Sequence, residues 1–112
     1  MAPRGDLTTV GLRISGRVQG VWYRGWAVEK ATELGLSGWV RNVTNGTVEI
    51  LINGPKDKVD GMIASCKSGP PSAQVDSVDI TVVDQPGKGG AFPTTGFDQL
   101  GTFDPSELPN MT

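Results

Sequence analysis

The chain has 112 residues, room for one domain with one modest core and a short tail, and its formal net charge of -2 offers no cationic sheath for nucleic acid or an anionic membrane. No run of about 20 apolar residues is present and Met1 to Thr9 lacks the apolar centre of a signal peptide, so a cytoplasmic protein without a membrane partner is expected. Cys66 is the single cysteine, which excludes an internal disulfide, and the absence of histidine removes the commonest general base and the commonest zinc ligand.

Val10, Leu12 and Ile14 alternate with Gly11, Arg13 and Ser15, the period of a half-buried strand, which Gly16 to Gly20 interrupts. Tyr23, Ala27, Ala31 and Leu34 then fall on one helical face, and Gly35 is placed to stop that helix. Trp39 to Thr44 and Thr47 to Asn53 read as two strands about Asn45-Gly46, a pair suited to a tight type I′ hairpin turn. A regular hairpin so turned puts Asn42 on the opposite face from Trp39 and Val43.

Pro55 suits the first turn of a second helix, whose stripe is Val59, Met62, Ile63 and Cys66 and whose end is Gly69-Pro70-Pro71. Val78, Ile80 and Val82 alternate as a last main strand. The order β-α-β-β-α-β predicts an α+β, ferredoxin-like sandwich with an antiparallel sheet and two helices on one face. Pro86-Gly87 and Gly89-Gly90 read as a flexible connection, Gly96 to Leu100 can add a short fifth edge strand through Phe97, and the chain from Asp104 reads as a loose end. The expected division is a domain over 7–103 and a flexible C-terminal tail over 104–112.

The loop Gly16-Arg17-Val18-Gln19-Gly20-Val21-Trp22-Tyr23-Arg24 holds no Ser, Thr, Asp or Asn to cap the helix that follows. The first amide N–H groups of that helix are left for another acceptor, and an anion suits them because the helix dipole adds positive potential there. Charge agrees with this: Leu7 to Val28 carries three arginines, Arg13, Arg17 and Arg24, and no carboxylate, while Leu36 to Val48, with Arg41 and Asn42, also lacks an acid. Each feature has a plainer explanation. A loop of this kind is often only a connection, a helix-end arginine is usually solvated, and an asparagine in a strand more often serves a local backbone group. Cys66 reads as core, Trp39 as packing, and Trp22 and Trp26 as packing or the wall of a site.

Gly16 to Arg24 resembles the phosphate loop of the acylphosphatases, Gly-x-Val-Gln-Gly-Val-x-aromatic-Arg. Gly38-Trp39-Val40-Arg41-Asn42, followed by Gly46-Thr47-Val48 and Gly54, is similar to that family's second signature. The likeness covers most of Val10 to Val83, and the Gly/Pro connection before Phe97 and the residues from Asp104 depart from the compact family pattern. The resemblance implies that Arg24 binds the phosphate and that backbone amides of Arg17, Val18, Gln19, Gly20, Val21, Trp22 and Tyr23 complete the cradle. It also implies that Asn42 orients the attacking water. The implied activity is hydrolysis of a small-molecule acyl phosphate to a carboxylate and inorganic phosphate, without metal or cofactor, and a monomer is expected.

Two other classes compete with it. A non-catalytic ferredoxin-like module for anion binding or protein interaction needs the loop and Arg24 but has no use for Asn42. RNA binding on the sheet needs exposed aromatics and a basic surface, where the first strand offers Val10, Leu12 and Ile14. The acylphosphatase-like domain of carbamoyl-transfer maturation proteins belongs to much longer chains.

Overall fold

The computed structural model describes residues 7–83 and 96–107. In chain order the elements are β1 (Leu7–Arg17), α1 (Tyr23–Glu33), β2 (Ser37–Asn42), β3 (Val48–Pro55), α2 (Lys56–Ser68), β4 (Gln74–Val82) and β5 (Phe97–Gln99), with a 3-10 turn over Pro105–Glu107. The strands lie in the order β4-β1-β3-β2-β5, and the fold is the ferredoxin-like one that the spacing of apolar residues predicts. The Pro86 to Gly90 connection and residues 108–112 of the expected tail lie outside the described residues.

The sheet is antiparallel through β4, β1, β3 and β2, and β5 joins it parallel to β2. The expected antiparallel sheet is thus a mixed one. Its register gives the reason: Val82, Val10, Ile52, Gly38 and Phe97 stand in one row across the five strands. β4 therefore stops at the end of the sheet where β5 starts, so β5 can only run in the direction of β2.

Alternation on the strands puts Val10, Leu12 and Ile14 of β1, Val40 of β2 and Val48, Ile50 and Ile52 of β3 in one buried layer with Phe97. Tyr23, Ala27 and Ala31 of α1 and Val59, Met62 and Cys66 of α2 cover that layer, so both helices lie on the same face. Each large aliphatic side chain buried here stabilises the fold by about 1.5–3 kcal/mol. The stripe on β4 fades toward the strand's end. Val75 and Val78 pack against the core, whereas Ile80 and Val82 are 48% and 64% exposed on this edge strand.

Two local details bear on the site. The register of β1 against β4 slips between Ser15 and Gly16, and a Cβ at Gly16 would stand 2.2 Å from the Gln74 carbonyl oxygen. Only glycine allows the bulge that turns the chain out of β1 into the loop. The turn between β2 and β3 is not the expected type I′. Asn45 keeps a negative φ, Gly46 alone turns positive at 96°, and Val43 N–H closes the turn on the Thr47 carbonyl at 2.9 Å. A type I turn followed by a left-handed glycine makes a three-residue loop. The Asn45 side chain favours it by accepting from the N–H and the hydroxyl of Thr47 at 3.0 and 2.7 Å.

Candidate active site

The loop leaving β1 delivers the chain to α1 without a capping side chain, as its composition predicts: the N-cap position is Trp22, which makes no side-chain cap bond, and the first turn holds no acid. Trp22 has φ 69°, the one positive φ outside glycine among the described residues. A left-handed tryptophan costs roughly 1–2 kcal/mol, which the surrounding packing must offset. The left-handed turn leads the chain into α1 beside a small cavity that Trp22 and the first residues of the helix line.

That cavity of about 130 Å³ is lined by Val18, Gly20, Trp22, Tyr23, Arg24, Gly25, Asn42 and Gln99. One water needs roughly 10–15 Å³ of such space, so the cavity admits a phosphoryl group with room beside it for part of the group it is attached to. Arg24 comes from the first turn of α1 and Asn42 from the last residue of β2, so two side chains 18 positions apart share one wall system with no carboxylate among the lining residues. Asn42 lies on the sheet face of Val40 rather than that of Trp39, in accord with the hairpin reasoning, even though the turn is of another type.

Of the loop residues expected in the cradle, Val18, Gly20, Trp22 and Tyr23 line the cavity, while Arg17, Gln19 and Val21 do not. Arg17 ends β1 opposite Gln74 with its side chain exposed, and Val21 packs against the core. Gln19 acts sideways: its Nε2 donates to the carbonyls of Val43 and Thr47 at 2.6 and 2.8 Å, which fastens the loop to the turn beyond Asn42.

The segment after β5 forms the remaining side. Arg24 Nη1 donates to the Leu100 carbonyl at 2.9 Å, so one edge of the guanidinium is fixed. Phe103 N–H donates to the Asn42 carbonyl at 2.8 Å, and Thr44 N–H donates to the Phe103 carbonyl at 3.0 Å. The Phe103 ring covers the Arg41 guanidinium at 3.9 Å, Trp39 flanks it at 4.7 Å, and Arg41 pairs with Glu49 at 2.7 Å. Arg41 is thereby committed to the open face of the sheet. Gln99, Leu100 and Phe103 were not among the residues singled out from the sequence, and the contacts that Leu100 and Phe103 make through the backbone leave no side-chain signature to find.

The other candidates take structural places. Trp26 packs edge-on against Tyr23, ring centroids 5.2 Å apart, and the Tyr23 hydroxyl donates to the Cys66 carbonyl at 2.6 Å, joining α1 to α2. Cys66 is buried in the core, and burial pushes its thiol up to about 12. A thiol held neutral in this way is no nucleophile. A broader groove of about 290 Å³ on the open face of the sheet is lined in part by Arg13, Trp39, Glu49 and Asp79, whose two acids disfavour a phosphate. No group of three His, Cys, Asp or Glu side chains that could hold a metal occurs among the described residues, and no helix among them is long and apolar enough to cross a membrane.

Known proteins share this fold and much of this sequence. The family model described as Acylphosphatase matches residues 10–94. The acylphosphatase of Rhodospirillum rubrum is 57% identical over 84 residues, covering 72% of this chain and 92% of that protein. Among solved structures, an acylphosphatase from Coxiella burnetii superposes with a TM-score of 0.76 at 30% identity, covering 86% of this chain and 95% of the other. That of Bacillus subtilis does so at 0.74 and 29%, covering 83% and 98%. The chain belongs to the acylphosphatase family.

Proposed function

We propose that the protein hydrolyses a small-molecule acyl phosphate in the cytoplasm, as a monomer, with Arg24 and the opening amides of α1 holding the phosphoryl group and Asn42 placing the water. In the step, the water oxygen forms a bond to phosphorus as the bond from phosphorus to the acyl oxygen breaks. The electron pair departs on the carboxylate, and the water's proton ends on a phosphate oxygen or in solvent. Charge spreads over the equatorial phosphoryl oxygens on the way, so fixed donors aimed at them supply most of the acceleration.

A guanidinium matches two of those oxygens at once, and the Leu100 carbonyl fixes the fork through one of its five N–H donors. A carboxylate is a weak base that leaves without being protonated, so the chain's lack of histidine costs the reaction nothing. The neutral amide of Asn42 is no strong base. Its part is to hold a water in line with the breaking bond, which lowers the entropic cost of attack. A single buried cysteine suits a reducing compartment.

The observation that carries this assignment is the cavity shared by Arg24, Asn42 and the uncapped end of α1. The test is release of inorganic phosphate from acetyl phosphate in excess chelator, with a phosphate monoester as control. Rapid release from the anhydride alone, at the same rate with and without chelator, is expected. No release from acetyl phosphate or from a bulkier acyl phosphate such as benzoyl phosphate would leave a non-catalytic anion-binding module.

A further inference from the structure

Trp22 is the large exposed side chain of the cavity wall. The residue is 58% exposed and carries a left-handed φ of 69° that glycine would adopt freely. The indole is nevertheless held in place. A Cβ at Gly25 would stand 2.1 Å from Trp22 Nε1 and 2.7 Å from Cδ1 and Cε2, so the ring rests directly on the backbone of Gly25. Both residues line the cavity beside Arg24. A glycine in the first turn of a helix weakens that helix, and here its lack of a side chain leaves the indole room against the backbone.

The place of the ring in the cavity wall gives it something to do. Of the apolar side chains that line the cavity, Val18 and Tyr23 are buried and Trp22 alone is exposed, so an acyl portion that extends from a phosphoryl group at Arg24 meets its apolar wall there. An apolar surface kept in water at that point gains by stacking on an apolar, above all an aromatic, acyl group. We propose that Trp22 is a specificity-determining residue that selects acyl phosphates with aromatic or bulky apolar acyl groups over small ones such as acetyl phosphate. This rests on the hydrolase assignment above and deepens it to a substrate class.

The experiment compares kcat/KM for benzoyl phosphate with that for acetyl phosphate in the parent protein, Trp22→Gly, Trp22→Phe and Gly25→Ala. Trp22→Gly suits the backbone at that position, and its benzoyl-to-acetyl ratio is expected to fall about three- to tenfold, the range for one lost aromatic contact. The fall should appear in KM more than in kcat, because the acyl group meets the ring before the transition state as well as in it. Trp22→Phe should restore most of the ratio. Gly25→Ala should lose it with the indole still in the chain, since the added methyl expels the ring from its seat.

An unmoved ratio in both Trp22→Gly and Gly25→Ala, with turnover intact in the parent, overturns the inference alone. If the parent turns over neither compound, the hydrolase assignment falls and this one with it.

Discussion

The Gln19 amide nitrogen lies 2.6 Å from the Val43 carbonyl oxygen, a bond between the loop that opens α1 and the residue that follows Asn42. With its second bond, to Thr47 at 2.8 Å, it couples the two halves of the cavity without entering it. Among the described residues no other side-chain hydrogen bond ties the loop to the hairpin turn, so beyond the pairing of β1 with β3 this amide holds the loop against the residues next to Asn42.

Gln19→Glu replaces a donor by an acceptor facing two carbonyl oxygens, which should cost about 2–3 kcal/mol in stability. Thermal unfolding should show Tm lower by roughly 10 °C, together with a weaker inhibition by inorganic phosphate. An unchanged Tm would show that the two bonds do not hold the loop.

Arg24→Lys keeps a positive charge but loses the planar fork and its anchor on Leu100. Steady-state kinetics with acetyl phosphate should give kcat/KM reduced by about 100-fold or more, the usual loss when one positioned transition-state donor is removed. A rate near the parent's would mean that charge alone is enough.

Asn42→Ala tests a different role. Turnover should fall by about 100-fold while the inhibition constant of inorganic phosphate changes by less than about threefold, because the amide is assigned to the water rather than to the phosphoryl group. Equal losses in the two would make Asn42 a binding residue.

Stability should decline in alkali. Burial pushes the Cys66 thiol from its ordinary 9.0 up to about 12, and burial first, with the Cys66 thiol beside it, raises the Tyr23 hydroxyl too. Both groups stay protonated in the fold while the unfolded chain ionises, so their contribution is complete below about pH 9 and is lost as pH rises toward the folded values. Each ionisation adds at most about 1.4 kcal/mol per pH unit to the slope. Urea midpoints measured between pH 8 and pH 10.5 should fall, and the slope should be shallower in Cys66→Ala. A midpoint independent of pH would show that the thiol is not held neutral.

The elements that carry the site could be read in the residues themselves. The apolar spacing of Tyr23, Ala27 and Ala31 and of Val59, Met62 and Cys66 places both helices, and the loop's lack of capping side chains marks the vacant donors of α1. What sequence could not supply is the geometry set by distant pairing. The direction of β5 follows from where Val82 ends relative to Phe97. Asn45-Gly46 favours a type I′ turn locally, and the two bonds that the Asn45 side-chain oxygen accepts from Thr47 win instead. The ties of Leu100 to Arg24 and of Phe103 to Asn42 run through backbone carbonyls across about 60 to 76 positions, beyond the reach of any local pattern.

The most direct measurement is a titration of isotope-labelled protein with inorganic phosphate, followed through its amide resonances. Saturable shifts confined to Val18, Gly20 and Trp22 to Gly25, and lost in Arg24→Lys, are predicted from amides and a guanidinium built to receive a phosphoryl group. Shifts that never saturate, or that gather on the lysines of α2 while the loop stays silent, would contradict it.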